Sequence, residues 1–265
     1  VAGERLVLVA EQGLGDTIQM CRFAPLLAAR GVDVTILAKP SMRALLSALP
    51  GVTIASSAEE LKQDKRPIRW LPLMSLPHVL GVTPDTVPAD VPYLAAAPER
   101  VTRWAERLSG DGFRIGINWA AGHGSDRHFV RRNIPLAAFA PLAALPGVRL
   151  IALQKGEASS EITHAPFKVE WPGMDFDAGA DAFLDTAAVM MNLDLVVSCD
   201  TSVAHLAGAL GRKTFVALPQ IADWRWLLGR EDTPWYPTVR LFRQRKRGDW
   251  PEMMVRIADA ARALI

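Results

Sequence analysis

Four places along this 265-residue chain combine residue types and spacings that can do chemistry. The first is Gly13-Leu14-Gly15-Asp16, which follows the apolar run RLVLVA and precedes a helical pattern. A strand, a Gly-x-Gly turn and a helix usually bring backbone N–H groups to a phosphate. Here the third glycine of the dinucleotide fingerprint is missing, and Asp16 stands where an anion would be repelled. Gly13 and Gly15 are therefore read as keeping the loop close and low, with the Asp16 carboxylate offered to a ligand held from the other side of a cleft. A carboxylate over a reacting hydroxyl is a general base. The same residue also suits a cap of the helix TIQMCRF, and spacing leaves both readings open.

The second place is LDLVVSCDTSVAHLAGALG, residues 193–211. Asp200 closes a strand and Thr201 or Ser202 opens a helix, whose free N–H groups and positive dipole end suit a phosphate or diphosphate. His205 lies four residues beyond Thr201, on one helix face with it. An N-cap and a packed histidine is the competing reading. The third place, LIALQKG, carries Gln154 and Lys155 out of a strand at the same sheet edge, where a lysine neutralises a phosphate as a point charge or is simply solvated.

The fourth is the loop AAGHGSDRHFVRRN after the strand FRIGINW. Gly122 and its small neighbours let backbone N–H groups approach an anion, and Arg131 or Arg132 supplies charge. His123, Asp126 and His128 have a spacing that invites a metal, but the loop has no rigid element to hold ligands and its arginines oppose a cation. No metal site is expected. The basic run at 240–250 is read as a solvated turn, and Trp224, Trp226 and Trp235 as packing or as the wall of a cleft.

These residues need a scaffold. Apolar β-type runs alternate with amphipathic helical runs almost throughout, the βαβ rhythm of a parallel sheet covered on both faces. The rhythm weakens through a proline-rich stretch after Lys62 and restarts at Phe113. Two α/β halves result: 1–110 and 111–248, with a C-terminal helix at 249–265 expected to pack back on the first half. The composition, 50% hydrophobic and 22% charged, is that of a soluble globular chain. A net charge of +2 argues against a nucleic-acid partner, and no apolar run reaches membrane-spanning length. Cys21 and Cys199 are far apart and imply no disulfide framework, so a reducing cytoplasm is expected. The abrupt start on the first strand suggests a segment of a longer polypeptide.

GLGD, LQKG and DTSVAHLAGALG, in that order, resemble the heptosyltransferase (family 9) glycosyltransferases. The stretches LPLMSLPHVLG, RNIPL and DWRWLLGREDTPWYPTVRLFRQ are similar to the catalytic part of bacterial proteins that carry tetratricopeptide repeats ahead of the transferase. The likeness covers essentially the whole chain. It implies a GT-B fold: two Rossmann-like domains facing across a cleft, acceptor on the N-terminal side and nucleotide-sugar on the C-terminal side. It implies an inverting transfer that needs no cofactor or metal, with Asp16 as base. Lys155 and the amides of Thr201 and Ser202 would hold the donor phosphates. Gln154, Asp200, His205 and Arg132 would contribute further donor contacts. The implied donor is a nucleotide-sugar, ADP-heptose being the best known in the family. The implied acceptor is a protein or cell-surface glycan, with upstream repeats as partner. A non-catalytic binding module on the same fold is the alternative.

Overall fold

The computed structural model describes residues 5–121 and 131–265. Gly122, His123, Asp126 and His128 lie outside the described residues. Two separate parallel sheets organise the chain. The N-terminal sheet contains β1 (Arg5–Val9), β2 (Asp33–Leu37), β3 (Val52–Ala55) and β4 (Ile68–Pro72), in the order β3-β2-β1-β4. The C-terminal sheet contains β5 (Phe113–Asn118), β6 (Val148–Ala152), β7 (Leu195–Cys199), β8 (Thr214–Leu218) and β9 (Val239–Arg243), in the order β6-β5-β7-β8-β9. Every pairing is parallel. The central strands β7 and β8 are buried at all positions, which explains why their sequences, LVVSC and TFVAL, do not alternate.

In each sheet the chain winds outward from its first strand, then crosses back to the other side. The reversal falls beside β1 in one sheet and between β5 and β7 in the other. Ligands of open parallel sheets sit outside the strand carboxyl ends at such reversals. Both carboxyl ends are where the candidate residues emerge.

Two strands arise where the sequence suggested none. β4 comes from the proline-rich stretch, as the edge of its sheet, with Pro72 closing it where no ladder N–H is required. β9 takes Val239–Arg243 from the basic run, because Leu241 and Phe242 turn into the core while Arg240 stays exposed. The helical pattern from Thr17 to Gly31 is also broken, into Leu14–Met20 and Phe23–Ala28. Pro25 has no N–H to return to the Cys21 carbonyl, which is taken instead by Ala24 at 3.0 Å.

The domain boundaries need two corrections. The helix Pro98–Arg107, assigned to the N-terminal half, packs on the C-terminal half: Trp104 meets Phe176 edge-on, and Arg100, Arg103 and Trp104 all bond Asp185. The C-terminal helix Trp250–Arg262 does not return to the N-terminal half. Its buried face (Trp250, Met253, Met254, Ile257, Ala258 and Ala261) covers the C-terminal sheet with Ile115, Ile117 and Phe139. The sheet would otherwise expose that apolar face, so the nearest amphipathic helix closes it.

The other face of the C-terminal sheet shares one continuous core with the N-terminal domain. Ile18, Met20 and Phe23 pack into the same cluster as Val203, Leu206, Trp226 and Tyr236. Gly208 makes room for this: a β-carbon there would lie 2.5 Å from the Tyr236 ring. Arg22 fastens the seam. It is buried, donates to the carbonyls of Gln19 (2.8 Å), Pro88 (3.2 Å) and Trp235 (2.6 Å) and to the Tyr93 hydroxyl (2.9 Å), and lies over the rings of Tyr93 and Tyr236. A buried guanidinium with this many acceptors and π faces is satisfied without a carboxylate.

Candidate functional site

The crevice at the C-terminal reversal has a volume of about 350 Å³. Its floor is the carboxyl end of β5 and β6, its far wall the segment from Asp177 to Phe183, and its near wall Thr201–Val203 at the start of the helix Ser202–Ala209. The size and position suit a small-molecule ligand.

Asn118, a residue the motif reading passed over, ties the three strand ends together. Its Oδ1 accepts from Thr201 Oγ1 (2.8 Å) and Ser198 Oγ (3.3 Å), and its Nδ2 donates to Gln154 Oε1 (2.8 Å). The signal available was a polar residue ending an otherwise apolar strand. Gln154 Oε1 accepts two further bonds, from the backbone N–H groups of Trp119 (3.2 Å) and Ala120 (2.9 Å). Gln154 lines the crevice, but its oxygen is committed to shaping the loop after β5. Its Nε2 donates to the Lys155 carbonyl at 3.0 Å.

Lys155 also lines the crevice. Its ammonium donates to the carbonyl of Phe176 (3.0 Å) and to that of Asp177. That wall is itself braced by reciprocal bonds: Asp177 Oδ1 accepts from the Asp185 N–H (2.6 Å), and Asp185 Oδ2 from the Asp177 N–H (3.0 Å). Asp185 thus joins the ligand-side wall to the helix Pro98–Arg107.

Thr201 is the N-cap, its hydroxyl spent on Asn118 rather than on its own helix. The N–H groups of the first turn are thereby left facing the crevice mouth, with the helix dipole behind them. Asp200 is 3% exposed, and its carboxylate makes an ionic contact with Arg132 Nη1 at 3.8 Å and is influenced by the Trp226 indole. Arg132 Nη1 also donates to the Asp200 carbonyl at 3.1 Å. Burial pushes the Asp200 carboxyl above its ordinary value, against the pull of Arg132. His205 is buried too, stacked on Trp226 and 2.9 Å from the Tyr236 hydroxyl through Nδ1. Burial and the nearby charges of Arg225, Arg22 and Arg132 hold its pKa well below the usual histidine range, so it is neutral.

From the N-terminal domain, the helix Leu14–Met20 lies against the helix Ser202–Ala209. Gly15 is the contact: a β-carbon there would be 3.0 Å from His205 Cδ2 and 3.3 Å from Ser202 Cα. The glycine of the first motif serves close approach of two helices across the domains. Gly13 is the N-cap of its helix, and its N–H donates to Asp16 Oδ2 at 2.8 Å. The capping reading of Asp16 is therefore realised through one oxygen. The other, Oδ1, faces the C-terminal domain and accepts from Arg225 Nη2. Arg225 and its neighbour Asp223 were not singled out by any motif, since an arginine between two tryptophans has no local signature.

Among the described residues, Gln19 Nε2 is buried without a hydrogen-bond partner, while the buried Trp226 indole lowers the Asp200 pKa against the effect of burial. Among the described residues, no group of three or more His, Cys, Asp or Glu side chains is placed to hold a metal ion. Among the same residues no helix is long and apolar enough to cross a membrane. Both cysteines are free and buried, and burial pushes the Cys21 thiol up to about 12.

Two parallel sheets, of four and five strands, in successive α/β domains are the architecture of the GT-B fold. Solved structures place it more closely: the chain has the fold of the heptosyltransferase-type, family 9 glycosyltransferases. The family 9 glycosyl transferase of Veillonella parvula superposes with a TM-score of 0.71 at 14% identity, covering 100% of this chain and 97% of that one. The E. coli ADP-heptose lipopolysaccharide heptosyltransferase II gives 0.69 at 16% identity, covering 98% of each. In sequence, the chain is 28% identical over 283 residues to Protein FlbA of Caulobacter vibrioides, across 98% of this chain and 46% of that protein. The chain thus spans about half the length of the curated relative it matches. No family model matches it.

Proposed function

We propose that this chain transfers a sugar from a nucleotide-linked donor to a hydroxyl of a protein or cell-surface glycan, with inversion and without a metal. The observation that carries the reading is the meeting of the helices Leu14–Met20 and Ser202–Ala209 at Gly15. It brings the helix that carries the Asp16 carboxylate against the start of the helix whose first-turn N–H groups would take the donor diphosphate. An inverting displacement needs a base on the acceptor face and positive stabilisation of the leaving group on the other.

In this reading the nucleotide lies in the crevice between Asn118 and Phe183. The N–H groups at Ser202 and Val203, Lys155 and Arg132 carry the diphosphate. Lys155 reaches it by exchanging its carbonyl partners for the more strongly charged phosphate. Asp200 accepts from sugar hydroxyls. Gln154 and Asn118 shape the site, and neutral His205 packs beneath it. An ADP-linked heptose is the first donor to try, since heptosyltransferase II uses an ADP-heptose and shares this fold. A repeat segment in the full-length protein would present the acceptor.

A second reading, a binding module without turnover, is favoured by one observation: both Lys155 and Asp16 are engaged by protein partners. The experiment that separates them is calorimetric titration with ADP-, GDP-, UDP- and CMP-linked sugars, followed by a transfer assay with the tightest donor. Binding that weakens at least tenfold in Lys155→Ala, with turnover abolished in Asp16→Asn at unchanged donor affinity, supports transfer. Binding with no turnover supports the module, and no binding to any of them sinks both readings.

A further inference from the structure

Arg225 comes from a short 3-10 turn, Trp224–Trp226, on the C-terminal domain, yet its guanidinium reaches the first helix of the N-terminal domain. Nε donates to Gln19 Oε1 at 2.7 Å, Nη1 to Asp223 Oδ1 at 2.6 Å and Nη2 to Asp16 Oδ1. All three donor directions of the planar group are therefore fixed. The side chain is 11% exposed and lies over the Trp224 ring, 4.8 Å from its centroid. The turn beneath it is capped by the same Asp223, whose Oδ1 accepts the Arg225 N–H at 3.1 Å. The Arg225 carbonyl in turn accepts from Trp235 Nε1 at 3.0 Å.

The consequence falls on Asp16. One carboxylate oxygen is held by the Gly13 N–H of its own domain, the other by Arg225 of the facing domain. The carboxylate plane cannot swing, and since each oxygen can accept two bonds and receives one here, each keeps a lone pair for a further group. Asp16 is 23% exposed, so that capacity is open to solvent and to a ligand. A lysine in place of Arg225 would satisfy at most part of this arrangement, because its point charge lacks the fork that spans Asp16, Gln19 and Asp223 together.

We propose that Arg225 is a positioning residue of the transfer: it aims Asp16 at the acceptor hydroxyl, and does so only while the two domains are closed on each other. This rests on the reading of Asp16 as the base. The acceptor O–H proton passes to Asp16, the acceptor oxygen bonds to the anomeric carbon, and the bond from that carbon to the diphosphate oxygen breaks. The electron pair leaves with the diphosphate. Arg225 touches none of the reacting atoms. Its part is to hold the carboxylate where the proton is released, and a displacement of an ångström at such a point costs on the order of 10²-fold in rate.

The test is a double-mutant cycle on the full chain, with the donor and acceptor that the wild type uses. Arg225→Gln is expected to lower kcat by roughly 10- to 100-fold with donor affinity within twofold of wild type, and to add no further loss in an Asp16→Asn background. Arg225→Lys, which keeps the charge and safeguards the fold, is expected to lose most of the rate as well. Millimolar guanidinium is expected to restore part of the rate to Arg225→Ala, which a purely structural defect would not allow. Wild-type kcat in Arg225→Lys, or losses that multiply independently of Asp16, would overturn the proposal while leaving the transfer reading intact. A wild type that turns over no donor overturns that reading, and this inference with it.

Discussion

Gly15 and Ser202, 187 residues apart, approach so closely that a β-carbon on the glycine would sit 3.3 Å from the serine Cα. That contact lets the two domains close on each other, because no side chain separates the two helices there. A glycine chosen for nearness to another helix looks, in sequence, like a glycine chosen for nearness to a phosphate.

Enlarging this contact is the direct test of its role. Gly15→Val should force the domains apart or distort them, at a cost of about 1–3 kcal/mol. Differential scanning calorimetry should show a lower melting temperature, with transfer reduced alongside. Gly179→Ala, where the added carbon meets nothing within 4 Å, should leave the melting temperature unchanged.

Gln154 shapes the loop rather than merely bordering the ligand. Its Oε1 is the shared acceptor for Asn118, Trp119 and Ala120, all buried or nearly so. Gln154→Leu strands those donors, and leaving buried donors unpaired should cost roughly 2–3 kcal/mol, read from urea unfolding. Nucleotide affinity should fall in the same variant, as the crevice floor loosens.

Asp185 holds the outer wall. Burial alone would raise its pKa, but the bonds from Trp104 and Arg100 outweigh it and the carboxyl lies below its ordinary value. A carboxyl lowered in the folded state contributes stability above the unfolded value of 3.8, which is lost as pH falls through the folded value. Asp185→Ala should therefore destabilise by about 3 kcal/mol at neutral pH, where a buried acceptor of several donors is removed. The difference between variant and wild type should shrink below pH 3.8, as measured by denaturant titration across the acid range.

His205 gives a second pH signature, in a different window. Its folded pKa lies well below 6.5, so below pH 6.5 the unfolded chain takes up a proton that the folded one refuses. Its contribution is thus complete above that value and is lost as pH falls, by up to about 1.4 kcal/mol per pH unit. His205→Gln, which keeps a polar group beside the Tyr236 hydroxyl, should flatten stability between pH 6.5 and 5. An unchanged slope in that variant would mean that His205 is not the group responsible.

The elements of the fold were legible where local pattern decides them. β1, β2, β3, β5, β6, β7 and β8 all arise from apolar runs bounded by turns, and the described candidate residues other than Arg132 emerge at a strand carboxyl end or in the helix that follows. β4 was not legible because none of its residues is fully buried, and β9 because its buried Val239, Leu241 and Phe242 are interleaved with arginines; IRWLP and VRLFR read locally as loop and basic turn. The C-terminal helix was seen as a helix but placed on the wrong domain. Its amphipathic pattern states that a face is buried, not which sheet lacks a cover.

What the sequence determined by itself was the chemistry on offer: a carboxylate after a Gly-x-Gly turn, a lysine past β6, and an Asp-Thr-Ser helix start past β7. Those follow from backbone geometry over a few residues. The tertiary structure alone decided what each group faces. Asp16 meets Arg225 across 209 positions of chain, Gln154 turns inward to three donors, and His205 is sealed neutral between Trp226 and Tyr236. Those pairings depend on how two sheets close on a shared apolar core, a long-range packing outcome that no local spacing encodes.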